Sequence, residues 1–241
     1  MMRATLYDRA AEALLAGEIQ HRAFDMQHAA HLPRPPLDLM NIAISRETGT
    51  HEHEIGTLLA RQLRWQLFDH EIVERIAERM HVPAALIEPL DERRAHWLQE
   101  TVSLLSDVPV VRESQYVRNL VETTLELGSE GHCVFIGRGA SWILPPESTL
   151  RVALMAPLEY RIHVVMRELG LNERDAALAV DARDRQHMRF TKAHFCNSEI
   201  DPHAFDLVLN TSRLTVEHCV GLIVAAVRGR AERLAPTGAA D

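Results

Sequence analysis

Residues 40–56, MNIAISRETGTHEHEIG, restrict this chain more than any other stretch. Met40 to Ile44 is a short apolar run. Ser45, Arg46, Glu47, Thr48 and Gly49 follow, and then Ile55, Leu58, Leu59 and Leu63 recur on one helical face. The pattern is strand, tight turn, helix. A turn of this kind gathers its backbone N–H groups at the positive end of the following helix, which makes it a seat for anions and for phosphate in particular.

The remainder alternates in the same way. Leu67 to Asp69 reads as a strand ending in a carboxylate, and Ile72, Val73, Ile76, Ala77 and Met80 form a helical stripe. Residues 83–129 are helical in pattern, broken near Pro89, Asp107 and Pro109. Cys133–Ile136 and Leu150–Met155 are buried strands, and Pro157 falls at the first turn of a helix, where its missing N–H costs nothing. Asn172 caps the next helix with Asp175 at its third position, and that helix carries the charged run DARDRQHMR, 181–189. A last strand, Asp206–Asn210, leads to a helix from Thr215 to Arg230. Strands separated by helical blocks predict an α/β fold with a parallel sheet of about five strands covered by helices on both faces. Residues 3–31 read as amphipathic helices ended by Pro33-Arg-Pro-Pro36. Residues 1–37 are therefore expected to be an appendage that packs on the domain or on a second copy, making a homo-oligomer. Residues 38–232 form the domain and 233–241 a flexible tail.

With 241 residues, 46% of them hydrophobic, the chain can bury a large core. A formal charge of −8 and a pI near 6.0 argue against non-specific nucleic-acid binding, so any basic site must be local. Three dispersed cysteines, Cys133, Cys196 and Cys219, form neither a disulfide framework nor a C-x-x-C metal pattern and fit a reducing compartment. The N-terminal apolar pieces are interrupted by Asp8, Glu12 and Glu18, so neither a signal peptide nor a membrane helix is expected, and the location expected is cytoplasmic.

The Walker pattern G-x-x-x-x-G-K-[ST] is not met at the organising turn, since it would want Gly at His51 and Lys at Glu52. Other motifs nonetheless fall in a telling order. ISRETGTHEHEIG and FDHEIVERIAE resemble the cytidylate kinase-like family of P-loop nucleotide kinases, whose loop usually reads SREFGSGGREIG and whose second strand ends FYDREI. GRGASWILPPESTLRVALMAPLEYRI is similar to the cytidylate kinase segment leading to ASPEERA, and DLVLNTSRLTVEH to the final LDSTxLSIxEV. The resemblance implies a three-layer P-loop kinase fold, a helical acceptor region at about 70–130, a lid at about 181–203, and ATP and Mg²⁺ as cofactors. By residue, it implies a phosphate loop containing Ser45, Arg46, Gly49, Thr50, His53 and Glu54, and Asp69 as the acid after strand two. It further implies Arg138 as the arginine that binds an acceptor monophosphate, and Arg183, Arg185 and Arg189 as lid arginines over the transferring phosphoryl group. An arginine fork suits that role because positioned cations stabilise the charge on a migrating phosphoryl group.

Departures from the family pattern carry chemistry too. His51 and Glu52 stand where the loop has glycines, His53 where it has an arginine, and Gly139 where an aspartate follows the turn arginine. Side chains at 51 and 52 obstruct close backbone approach to phosphate, and Glu52 adds a negative charge there. The lid arginines can instead form a solvated face with Asp181 and Asp184. His51-Glu-His-Glu54 invites a metal reading, but His-x-His at a helix start points the rings apart. Cys133 reads as a core residue, and Trp65, Trp97 and Trp142 as packing anchors. Two functional classes result: a phosphotransferase acting on a nucleoside monophosphate or similar small acceptor, and a non-catalytic nucleotide- or anion-binding protein acting through association.

Overall fold

The computed structural model describes residues 40–87, 113–195 and 202–234. The expected N-terminal helices, the Pro-rich linker, Trp97, Cys196, the middle of the acceptor region and the end of the lid lie outside the described residues. Five strands, β1 (Asn41–Arg46), β2 (Gln66–Phe68), β3 (Cys133–Ile136), β4 (Thr149–Met155) and β5 (Leu207–Asn210), form one parallel sheet in the order β2-β3-β1-β4-β5. The helices between them are α1 (Glu52–Leu63), α2 (Glu71–Met80), the short α3 (Ala84–Ile87), α4 (Glu113–Glu130), the short α5 (Ala140–Ile143), α6 (Leu158–Leu169), α7 (Glu173–His194) and α8 (Val216–Leu234).

Alternation along the strands feeds two cores. Ile42 and Ile44 of β1, Val134 and Ile136 of β3, and Leu150, Val152 and Leu154 of β4 pack against Ile55 and Leu59 of α1 and Val220, Ile223 and Val224 of α8. The opposite face of the sheet, with Ala43, Phe68 and Phe135, packs against Ile72 and Ile76 of α2 and Tyr116 and Leu120 of α4. Strands buried on both faces read as continuous apolar runs, and this is why the expected parallel sheet is found. A third cluster, Val165, Ala176 and Val180, holds α7 against α6.

The boundaries shift in small, explicable ways. Asp69 lies just past β2, and Asp206 precedes β5, where its carboxylate accepts the Arg151 N–H at 2.8 Å and meets Arg230 Nη1 at 2.8 Å. Pro157 is the N-cap of α6, one position before its first turn, with its carbonyl accepting the Arg161 N–H. Asn172 caps α7 as expected, accepting the Asp175 N–H at 2.9 Å. The run 181–189 lies inside this 22-residue helix. Central β1 sits between the strands of the first half and β4, so the turn after β1 opens at the carboxyl end of the sheet, where the strand order diverges.

Candidate functional site

The turn from Glu47 to His51 is shaped by two left-handed residues. Gly49 has φ 84°, and a Cβ placed on it would stand 2.7 Å from the Arg161 carbonyl oxygen, so only glycine fits. His51, the N-cap of α1, has φ 58° and supplies no side-chain cap. His51 therefore leaves the first-turn N–H groups of α1 uncapped by its own side chain, as a phosphate seat requires. Glu52 and Glu54 in that first turn set negative charge against the positive helix end.

A brace of side chains fixes the turn to β4, α6 and α7. Glu47 donates its N–H to the Leu154 carbonyl at 3.1 Å, and its carboxylate accepts the Ala156 N–H at 3.0 Å and faces Arg161 Nε at 3.4 Å. Thr50, fully buried, donates its hydroxyl to the Glu47 carbonyl at 2.8 Å. Arg161 donates Nε–H to the Ala156 carbonyl at 3.0 Å and Nη1–H both to the Thr48 carbonyl at 3.3 Å and to Asp184 Oδ2 at 2.6 Å. Asp184 Oδ1 in turn accepts the Thr48 N–H at 2.9 Å. A carboxylate from α7 therefore rests on an amide of the phosphate-type turn.

Around its mouth, Arg46 Nε lies 3.7 Å from Glu52, while the His51 ring approaches the Tyr160 hydroxyl at 3.3 Å, Glu54 at 3.6 Å and Glu168 at 3.9 Å. Partial burial, followed by the nearby Glu52 carboxylate, raises the Glu168 carboxyl above its ordinary range.

A second group lies beyond the start of α1. Asp69, almost fully buried, accepts from Arg138 Nη1 through Oδ1 at 3.1 Å and meets His53 Nδ1 through Oδ2 at 3.2 Å. Arg138 is only 2% exposed, has φ 50°, and also donates to the Asp69 carbonyl at 2.5 Å. The His53 side chain is 71% exposed.

Ser45, Arg46, Gly49, Thr50, His53 and Glu54 thus gather at one turn, and Asp69 and Arg138 are linked to them through His53. The lid arginines diverge. Arg183 faces the side of Glu168, whose carboxyl it helps to hold down. Arg185 pairs with Asp181, and Arg189, one turn further along the same exposed stripe, faces solvent. Sequence reading missed Arg161, Tyr160, Glu168 and the bracing role of Asp184. For Arg161 the signal is in the sequence, since APLEYRI is similar to ASPEERA. Among the described residues no group of three or more His, Cys, Asp or Glu side chains is placed so as to hold a metal ion. Burial pushes the Cys133 thiol up to about 11, consistent with a core residue. No helix among the described residues is long and apolar enough to cross a membrane.

The sequence profile of the cytidylate kinase-like family matches residues 41–213, which contain this turn, the Asp69–Arg138 pair and the whole sheet. The chain belongs to that family. A cytidylate kinase of Sulfolobus acidocaldarius is 21% identical over 189 residues, covering 78% of this chain and 94% of that one. One from Methanopyrus kandleri is 28% identical over 120 residues, 46% of this chain and 62% of that enzyme. A 112-residue match, 32% identical, to a uronate isomerase of Corynebacterium glutamicum covers 46% of this chain and only 21% of the isomerase. Among solved structures, an uncharacterized protein from Eubacterium ventriosum superposes with a TM-score of 0.59 at 18% identity, covering 79% of this chain and 99% of that one. That likeness speaks for the fold alone. The parallel five-stranded sheet is the P-loop kinase fold, and membership of a kinase-like family supports phosphotransfer at a general level.

Proposed function

We propose that the protein transfers the γ-phosphoryl group of ATP to a small acceptor. The observation that carries this reading is the turn from Glu47 to His51. It leaves the central strand at the carboxyl end of the sheet and opens α1 through left-handed Gly49 and His51, with no cap from the His51 side chain on the first-turn amides. In this reading the turn amides and Arg46 take the ATP phosphates, and Thr50 and Ser45 shape the cradle. Arg183, Arg185 and Arg189 belong to the helix that closes over it. Mg²⁺ would enter with the nucleotide, and among the described residues the first-turn carboxylate of Glu54 would help to hold it. It would supply positive charge against the phosphates. The cytidylate kinases among the relatives support a nucleoside monophosphate as one acceptor class to test.

A second reading, nucleotide or anion binding without turnover, is favoured by one observation: Asp184 already lies on the Thr48 amide and on Arg161, where a phosphate oxygen would compete. Titrating ATP with and without Mg²⁺, alone and with monophosphates, separates the two. ADP release supports the transferase; saturable ATP binding with no ADP release supports the binder; absence of any ATP binding removes the transferase and leaves only the binding of another anion.

A further inference from the structure

The geometry points to His53 as a general base, oriented by Asp69, that deprotonates a hydroxyl acceptor. This names the acceptor class for the transferase reading above and rests on that reading. Two observations converge on it.

The first is where Arg138 points. Its guanidinium is 2% exposed and reaches inward, donating to both the carboxylate and the carbonyl of Asp69. An acceptor phosphate bound by Arg138 would have to draw this buried arginine away from a buried carboxylate, and such separations are strongly unfavourable. The second is the other half of the same carboxylate. Asp69 Oδ2 lies 3.2 Å from His53 Nδ1, and the ring is otherwise largely exposed. An aspartate held by a buried arginine and accepting from Nδ1–H fixes the tautomer that leaves the Nε2 lone pair outward. His53 is the second residue of α1, adjacent to the turn that would hold the phosphates. An oriented imidazole beside a phosphoryl donor is what a hydroxyl acceptor needs, because its oxygen must lose a proton as it attacks. A phosphate acceptor is already an anion and gains nothing from a base.

The step balances without a further reactant. The hydroxyl proton passes to His53 Nε2 as the oxygen bonds to the γ-phosphorus, and the bond from that phosphorus to the bridging oxygen breaks with its electron pair staying on ADP. The imidazolium then releases its proton to solvent. Products are a phosphate monoester, or inorganic phosphate where water is the acceptor, with ADP and one proton.

Water is a hydroxyl acceptor that is always present, so the test uses the full chain with Mg-ATP in water alone, with added glycerol or D-gluconate, and with CMP or UMP. ADP release is read for wild type, His53→Ala, and His53→Ala with added imidazole. The expected result is ADP release in water that rises with a polyol and not with CMP or UMP. In His53→Ala kcat falls by about 10²- to 10⁴-fold, the usual span for a lost general base. Imidazole restores part of the rate, which a merely structural histidine would not allow. Separately, ¹⁵N spectra of His53 in the resting protein should show the proton on Nδ1, and Asp69→Asn should disturb that preference. The proposal is overturned if ADP release is stimulated only by CMP or UMP, if His53→Ala turns over as wild type does, if no ADP is released while ATP binds, or if the proton lies on Nε2. Failure of ATP to bind at all overturns the transferase reading itself; stimulation by CMP or UMP leaves that reading standing and removes only the base.

Discussion

Asp184 Oδ2 lies 2.6 Å from Arg161 Nη1, and the same carboxylate accepts the Thr48 N–H at 2.9 Å. One residue in the middle of α7 thereby closes a bracket from the lid helix, through a buried arginine of α6, onto the turn after β1. The contact both holds the turn and occupies it, so its removal should separate folding from binding.

Asp184→Asn keeps the side-chain shape and an acceptor for Thr48 but removes the charge opposite Arg161. We expect a loss of folding stability of about 1.5–3 kcal/mol, the range for a hydrogen bond to a charged group, read by denaturant unfolding. ATP or inorganic phosphate should bind more tightly by calorimetry, because Arg161 and the turn amide become available. Weaker binding in a variant that is still folded would mean that Asp184 organises the seat rather than competing for it.

Arg138→Ala should act first on the fold. It leaves the nearly buried Asp69 carboxylate without its arginine, and breaking such a pair costs about 3–5 kcal/mol. The double change Asp69→Asn, Arg138→Met removes both charges and should recover much of that loss. If Arg138→Ala unfolds like wild type yet loses monophosphate binding selectively, the guanidinium serves an acceptor phosphate after all.

The contrast between these residues shows what the sequence could disclose. The sheet was legible because strands such as VFI and VALM must be buried on both faces, and the turn because Gly49 and the stripe beginning at Ile55 fix where α1 starts. The bracket was not, since Arg161 and Asp184 lie 23 residues apart and meet only because Val165, Ala176 and Val180 pack α6 against α7. Asp184 looked like one more charge on a solvated run. Its face is set by tertiary packing, and charge alternation along a helix carries no information about which carboxylate turns inward. Arg138 was recognisable as a residue but not as buried, because Gly137 and Gly139 on either side give no sign that the left-handed turn between them directs the side chain toward Asp69.

Glu168 makes a pH prediction. Burial and Glu52 raise its carboxyl in the folded protein, so the folded state holds that proton more firmly than the unfolded chain does. The stability it contributes is full at acid pH, below the ordinary carboxylate range, and is lost as pH rises through the raised value. Glu168→Gln, which mimics the protonated form, should match wild type in melting temperature near pH 4 and exceed it near pH 7.5. The side chain is about half exposed, so solvent screening keeps the difference small. A variant less stable than wild type at the higher pH would show that attraction to His51 and Arg183 outweighs burial.

The departures at positions 51 and 52 can be tested together. His51 holds φ 58°, a left-handed conformation that a side chain resists and glycine adopts freely. Glu52 lies 3.7 Å from Arg46 Nε, so it adds negative charge to the mouth and partly neutralises a cation that phosphate would use. His51→Gly with Glu52→Gly should therefore tighten ATP for two reasons: closer approach of the backbone, and removal of the Glu52 charge beside Arg46. One carboxylate about 4–6 Å from polyphosphate, at an effective dielectric near 20, represents roughly 3–4 kcal/mol of bare repulsion. Solvent and ions at an open turn remove most of that, so a net gain of about 1 kcal/mol is the expected outcome. The gain should shrink at high salt, since screening already weakens the repulsion being relieved. The loss of the His51 contact with the Tyr160 hydroxyl, at 3.3 Å, is a weak term against it. Calorimetric titration of ATP at low and high ionic strength decides the matter: no tightening at low salt, in a variant with unchanged melting temperature, would mean that the amides opening α1 do not meet phosphate at all.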